Sequence, residues 1–180
     1  MTTYAALLRG INVGGKKKVP MAELREVLEG LGYEDVRTYL QSGNAVFGGR
    51  DAAPEVLAAE IERGVEERFG FSVACLVVDG PYLESVVEGC PYPASELEGK
   101  QLHATFLSAQ PDEGRFAAID REAFLPEEFS VGEKVVYLYA PEGLGRSKLA
   151  EAVFRPAVFK GIDATTRNWN TVVKLVEMTR

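Results

Sequence analysis

Apolar and polar positions along the chain alternate between two periods. Tyr4 to Arg9 opens with an apolar run that reads as a buried strand. It breaks at Gly10 into a loop rich in glycine and lysine that lasts to Val19. Pro20 can start a helix, where its missing N–H is harmless, and Leu24, Val27, Leu28 and Leu31 recur at helical spacing up to a stop at Gly32. Val36 to Gln41 and Asn44 to Phe47 alternate as paired strands about a Ser42-Gly43 turn. Pro54 starts a second helix with Leu57, Ile61, Val65 and Phe69 on one face, ending at Gly70. Ser72 to Val78 is a further apolar strand. Pro81 to Glu88 reads as a short helix, and Cys90 to Pro93 as a connector.

The later part repeats this order. Gln101 to Ser108 reads as a strand and Asp112 to Phe124 as a helix. Glu127 to Val131 and Lys134 to Tyr139 form a hairpin about Gly132-Glu133. Arg146 to Phe154 is helical, Ala164 to Asn168 extended, and Thr171 to Met178 a closing helix. The expected fold class is therefore α+β, with two tandem ferredoxin-like (βαββαβ) halves. They span residues 1–90 and 100–180, the second carrying the C-terminal helix, and together form one unit. Both faces of the first strand are apolar: Tyr4, Ala6 and Leu8 on one, Ala5 and Leu7 on the other. A sheet open to water on one side alternates more cleanly, so a cover over the second face is expected. The sheet of the other half is the simplest cover, and a homodimer partner the alternative.

Composition narrows the class. At 46% hydrophobic and 26% charged, the 180-residue chain can bury a core. Its apolar runs are too short to span a bilayer, and it opens directly on a strand-like run, so a cytoplasmic protein is expected. Two cysteines and one histidine exclude a disulfide framework and the common zinc sites. The net charge of −7 disfavours general nucleic-acid binding. It is unevenly spread: residues 49–140 hold 18 Asp/Glu against 7 Lys/Arg, while Arg9, Lys16, Lys17 and Lys18 have no acid among them.

Three stretches carry a resemblance: Ala6-Leu-Leu-Arg-Gly-Ile-Asn-Val-Gly-Gly15, Thr38-Tyr-Leu-Gln-Ser-Gly-Asn44 and Ala164-Thr-Thr-Arg-Asn-Trp-Asn-Thr171. Together the chain resembles the bacterial family catalogued as domain of unknown function 1697. That resemblance implies a small cytosolic α+β protein and no particular reaction.

Candidate chemistry lies in two loops. In a ferredoxin-like half the first two strands are parallel. Arg9, Asn12, Gly14, Gly15 and Lys16 therefore fall beside Gln41, Ser42 and Asn44, a set suited to phosphate or carboxylate. It is not a Walker A loop, because Lys17 stands where Ser or Thr is required. A tight turn with solvated lysines is the bland reading. In the second half, Arg146, Ser147 and Lys148 open a helix at the same end as Thr165, Thr166, Arg167 and Asn168, and a second polar cluster is expected there. Asn168 could instead cap the last helix, and Trp169 pack a corner. Were the halves packed face to face with opposed strands, Arg9, Asn12, Ser42, Asn44, Arg146, Lys148, Arg167 and Asn168 would line one cleft.

No catalytic set emerges. His103 reads as a surface-facing or hydrogen-bonded strand residue, Cys75 as core, and Cys90 as unactivated. Tyr137 and Tyr139 share a strand face and read as packing rather than as a base-stacking pair. The expectation is a protein that binds a small phosphorylated or otherwise anionic ligand, a nucleotide for example, in a basic glycine-rich cleft. The alternative is a non-catalytic nucleic-acid or protein interaction module. Neither a catalytic residue, a cofactor nor a metal is assigned.

Overall fold

The computed structural model describes residues 1–180 as a mixed α+β protein with two four-stranded antiparallel sheets and five helices. The chain divides into two compact units, Met1–Leu83 with Leu175–Arg180, and Glu84–Lys174.

In the first unit the elements run β1 (Thr2–Leu8), α1 (Met21–Gly30), β2 (Glu34–Tyr39), β3 (Asn44–Gly49), α2 (Pro54–Phe69), β4 (Cys75–Asp79) and the start of α3 (Gly80–Glu88). The sheet order is β2-β3-β1-β4. β1 and β2 are both antiparallel to β3 and so run parallel to each other. Their C-terminal ends, and the loops that follow them, share one end of the sheet. The proline starts fall near the expected places: Pro20 is the N-cap of α1 and Pro54 opens α2. α1 stops in a Schellman turn. Gly32 at φ 93° donates its N–H to Glu29, and Tyr33 donates to Leu28. Leu24, Leu28, Leu57 and Ile61 are fully buried against Tyr4, Ala6, Leu8 and Phe47. Burying side chains of this size contributes about 1.5–3 kcal/mol each. Tyr33 stacks on Phe47 with ring centroids 4.4 Å apart. Its hydroxyl donates to Glu60 at 2.6 Å, and burial first, then that carboxylate, push its pKa up. Ala5 and Leu7, on the other face of β1, have no exposure either. The two-sided apolar pattern of that strand thus corresponds to burial on both sides.

In the second unit the elements are β5 (Leu102–Leu107), β6 (Glu128–Gly132), β7 (Val135–Tyr139), α4 (Lys148–Val153), β8 (Ala164–Asn168) and the first part of α5 (Trp169–Thr179). The sheet order β6-β7-β5-β8 is again second, third, first, fourth. One expected element is corrected. Residues 112–124 do not form a helix but two short 3₁₀ turns, Glu113–Phe116 and Arg121–Phe124. Asp120 between them is extended, with φ −79° and ψ 98°. That break lets Phe116 and Phe124 reach one core with Phe129, Leu138 and Leu149. Gly114 and Asp120 are poor helix formers, and packing decides the outcome. The β6–β7 turn falls at Glu133-Lys134, one residue later than expected, with Lys134 at φ 52°.

Candidate functional site

The β1–α1 loop is a small hairpin. Val13 and Lys16 pair across Gly14 and Gly15, whose φ values of 60° and 74° meet the type I′ requirement. Asn12 holds it in place. At φ 55°, its Oδ1 accepts from Val19 N–H at 2.8 Å. Its Nδ2 donates to Val19 O at 3.0 Å and to Gln41 O at 2.7 Å. That last bond ties the loop to the β2–β3 turn, and Leu8 N–H adds a bond to Gly43 O. The juxtaposition read from strand direction is therefore present: Arg9, Asn12, Gly14, Gly15 and Lys16 lie at the same end as Ser42 and Asn44.

The amides have a different part from the one expected. Both side-chain N–H groups of Asn12 are spent on backbone carbonyls, one of Val19 in the loop and one of Gln41 on the neighbouring turn. Asn44 has no exposure, and its Nδ2 donates to Tyr39 O at 2.8 Å and Ser42 Oγ at 3.2 Å. These side chains build the loop scaffold. Arg9, Lys16 and Lys18 are exposed and enter no ion pair, and Lys17 Nζ donates to Ser72 O at 2.8 Å. The loop feeds α1, whose N-cap Pro20 offers no capping side chain. The amides of Met21, Ala22 and Glu23 precede the first intrahelical bond, from Leu24 to Pro20 O. The Asn12 clamp is not among the expected contacts. An asparagine preceding Val-Gly-Gly-Lys, a type I′ turn sequence, was the available signal.

In the second unit strand alternation divides the expected cluster. Thr166 shares a hydroxyl bond with Thr105 at 2.8 Å. Its face also carries Asn168, whose Oδ1 caps α5 by accepting from Thr171 N–H at 3.0 Å. Arg167, paired with Ala104, lies on the opposite face, is 9% exposed, and donates to Thr166 O. The idea that Thr166, Arg167 and Asn168 converge on one cluster is thus corrected by the period of two. Ser147 is the N-cap of α4: its Oγ accepts from Ala150 N–H at 2.9 Å and donates to Glu127. Arg146 and Lys148 flank it, both exposed.

His103 is neither surface-facing nor satisfied, contrary to expectation. It is 8% exposed and its Nδ1 has no hydrogen-bond partner; burial lowers its pKa. Cys75 is core, and burial raises the Cys90 thiol pKa, which favours the neutral thiol. Tyr137 is 4% exposed and donates its hydroxyl to Val86 O at 2.7 Å, so it offers no stacking platform. Its pKa is pushed up to about 12 by burial. No group of three or more His, Cys, Asp or Glu side chains is placed to hold a metal ion. No helix is long and apolar enough to cross a membrane.

Fold and loops together define an α+β protein of two four-stranded sheets with a basic, glycine-turned loop at one sheet end. A family model described as "Protein of unknown function (DUF1697)" matches residues 1–137, and the chain belongs to that family. A solved structure of the conserved bacterial protein SP0830 from Streptococcus pneumoniae is similar, at TM-score 0.72 and 25% identity, over 99% of each chain. No curated protein matches the chain.

Proposed function

We propose that the chain binds a small anionic ligand, a phosphorylated metabolite or nucleotide, at the β1–α1 loop. One observation carries this. In a chain of net charge −7, Arg9, Lys16 and Lys18 stand exposed without a carboxylate partner, next to a helix N-terminus that no side chain caps. Free amides and the helix dipole favour an anion there, and the cations add to that field. Gly14 and Gly15 let a ligand approach the backbone. Asn12, Ser42 and Asn44 hold the loop in shape rather than supplying its charge. Arg146 and Lys148, flanking the capped start of α4, offer a second, weaker basic patch. Binding, not a reaction, is what these groups supply, since no nucleophile and base stand together among them.

The test is a thermal-shift and calorimetric screen against nucleotides, sugar phosphates and polyphosphate, with Arg9→Ala and Lys16→Ala/Lys18→Ala alongside. A ligand at 100 times its Kd adds about 2.7 kcal/mol of stability, a readily measured shift. Retention of a hit in both variants would move the site elsewhere.

A second reading rests on a different observation. Val13 at the hairpin tip is 67% exposed and Leu40 on the neighbouring turn 53% exposed, an apolar pair among cations. That suits a non-catalytic module docking on a macromolecule. Val13→Ser separates the two: it leaves small-ligand affinity unchanged but weakens docking. Binding to RNA would fall steeply with salt.

We also infer that each unit is a ferredoxin-like βαββαβ module acting in the bacterial cytoplasm. The shared strand order and the bacterial relative support this. In the second unit two 3₁₀ turns take the place of the first helix.

A further inference from the structure

The connector leading into β5 and the first turn of α5 enclose a groove of about 310 Å³, all of it within the second unit. That is the small end of ligand-pocket sizes. Its apolar walls are Leu97, Leu102, Trp169 and Val173. Glu98 is its one charged lining residue. That carboxylate is already engaged: it accepts from Gln101 N–H in a capping box and lies 3.3 Å from Lys100 Nζ. The reciprocal bond, from Glu98 N–H to Gln101 Oε1 at 2.9 Å, holds this wall in shape, and Gln101 Nε2 ties it to Pro141 O at 3.2 Å.

Two successive side chains of α5 bring unused polar groups to the groove. Trp169 is 6% exposed, and its ring is backed by that of Tyr137, centroid to centroid 6.3 Å. A buried indole N–H ordinarily finds an acceptor. This one has none, yet it is not sealed from solvent, since His103 Nδ1 is the sole side-chain atom both sealed and unpaired. The N–H opens where Trp169 lines the groove. Asn170 is the second. A Cβ built on Gly99 would collide almost equally with its Cγ, Nδ2 and Oδ1. Near-equal approach to all three atoms sets the carboxamide face-on to the Gly99 backbone, so its N–H and C=O edge projects sideways. Asn170 is exposed, and that edge enters no hydrogen bond.

We propose that this groove binds a purine base or its nucleoside. The Asn170 carboxamide presents an acceptor beside donors, and adenine answers with an amino donor beside a ring-nitrogen acceptor, a bidentate pair. The Trp169 N–H donates to a further acceptor of the base, and the ring lies against Leu97, Leu102 and Val173. The lining holds no cation, so a phosphate gains nothing here. The site is therefore separate from the basic β1–α1 loop, and neither reading depends on the other.

The experiment titrates the full chain with adenosine, with ribose and adenosine dimethylated on its amino group as controls. Trp169 is the one tryptophan, so its fluorescence and its indole N–H resonance report on this groove. Adenosine should shift the indole resonance saturably, and ribose should not. The dimethylated nucleoside has lost the amino donor and should bind about tenfold more weakly. Asn170→Ala should lose about tenfold as well, with an unchanged Tm, because the side chain is exposed and caps nothing. Gly99→Ala displaces the carboxamide and should match it, while Arg9→Ala should leave adenosine binding as it is. Absence of a saturable shift, equal binding of the dimethylated nucleoside, or full affinity in Asn170→Ala would each overturn the proposal. So would loss of adenosine binding in Arg9→Ala, which would place the base at the β1–α1 loop instead.

Discussion

Replacing Asn12 by alanine tests whether the β1–α1 loop is a built scaffold or a slack connector. The substitution removes three hydrogen bonds, at 2.7, 2.8 and 3.0 Å. Two of them serve the backbone of Val19, which has no exposure and hence no water to turn to. At about 1 kcal/mol net for each bond, and more where a buried group is orphaned, the loss is about 3–4 kcal/mol. The φ of 55° adds a second handle. Glycine at this position loses the same bonds but tolerates the left-handed backbone, so it should be about 1 kcal/mol less damaging than alanine. For a chain of this length the alanine variant should melt about 10 °C lower. Aspartate keeps the acceptor for Val19 N–H but turns a second oxygen toward two carbonyls, and should be no better than alanine. The assay is thermal melting by circular dichroism, with hydrogen exchange at the Val19 amide reporting the loop itself. An alanine variant within 1 kcal/mol of the parent, with Val19 still protected, would refute the clamp.

Four further outcomes follow from single positions. Ser147→Ala removes the α4 cap and leaves Ala150 N–H and the Glu127 carboxylate without their partner, so stability should fall by about 1–2 kcal/mol in a denaturant titration. Gly43→Ala, at φ 98° with a new Cβ 2.8 Å from Ile11 Cδ1 and 2.9 Å from Leu8 Cβ, should be strongly destabilising. Gly30→Ala in the last turn of α1 meets nothing within 4 Å and should stabilise by about 0.5–1 kcal/mol. A melting series that ranked these two the other way would contradict the packing described. His103 is buried with its folded pKa held down, so the unfolded chain takes up a proton that the folded chain refuses. Its contribution is complete above about pH 6.5 and is lost as pH falls toward the folded value; His103→Leu should flatten that part of the stability–pH curve.

The parts of the fold that were legible are those where one period dominates. Leu24 and Leu28, or Leu57, Ile61 and Val65, mark helix faces that no competing pattern contests. The two-sided apolar character of Tyr4 to Leu8 announced burial on both faces. Residues 112–124 were misread because Phe116, Ile119 and Phe124 also fit a helical stripe; a backbone break at Asp120 leaves no trace in hydrophobic spacing. The location of the basic loop beside the β2–β3 turn followed from strand direction alone. Its internal wiring did not. A side chain that bonds two backbone segments, as Asn12 does, carries the same residue type as one that bonds a ligand. Alternation along Thr165 to Asn168 was available to separate Arg167 from its neighbours and was outweighed by their proximity in sequence.

The two units share a strand order but cover their sheets differently. In the first unit two full helices, α1 and α2, lie over the sheet with Leu24, Leu28, Leu57 and Ile61 in the core. Its β2 edge is charged, with a register shift between Glu34 and Arg37 and left-handed Asp35, features that discourage pairing. The exposed basic residues Arg9, Lys16 and Lys18 lie in the loop at the end of that sheet. In the second unit the segment between β5 and β6 is held by 3₁₀ turns, which cover less area than a helix of the same length. The uncovered strip lies beside β6, with Phe116 and Ile119 in its wall. Arg121, donating to Phe129 O across that edge, caps only one of its outward carbonyls. The same shortening that costs the second unit a helix leaves a groove beside β6.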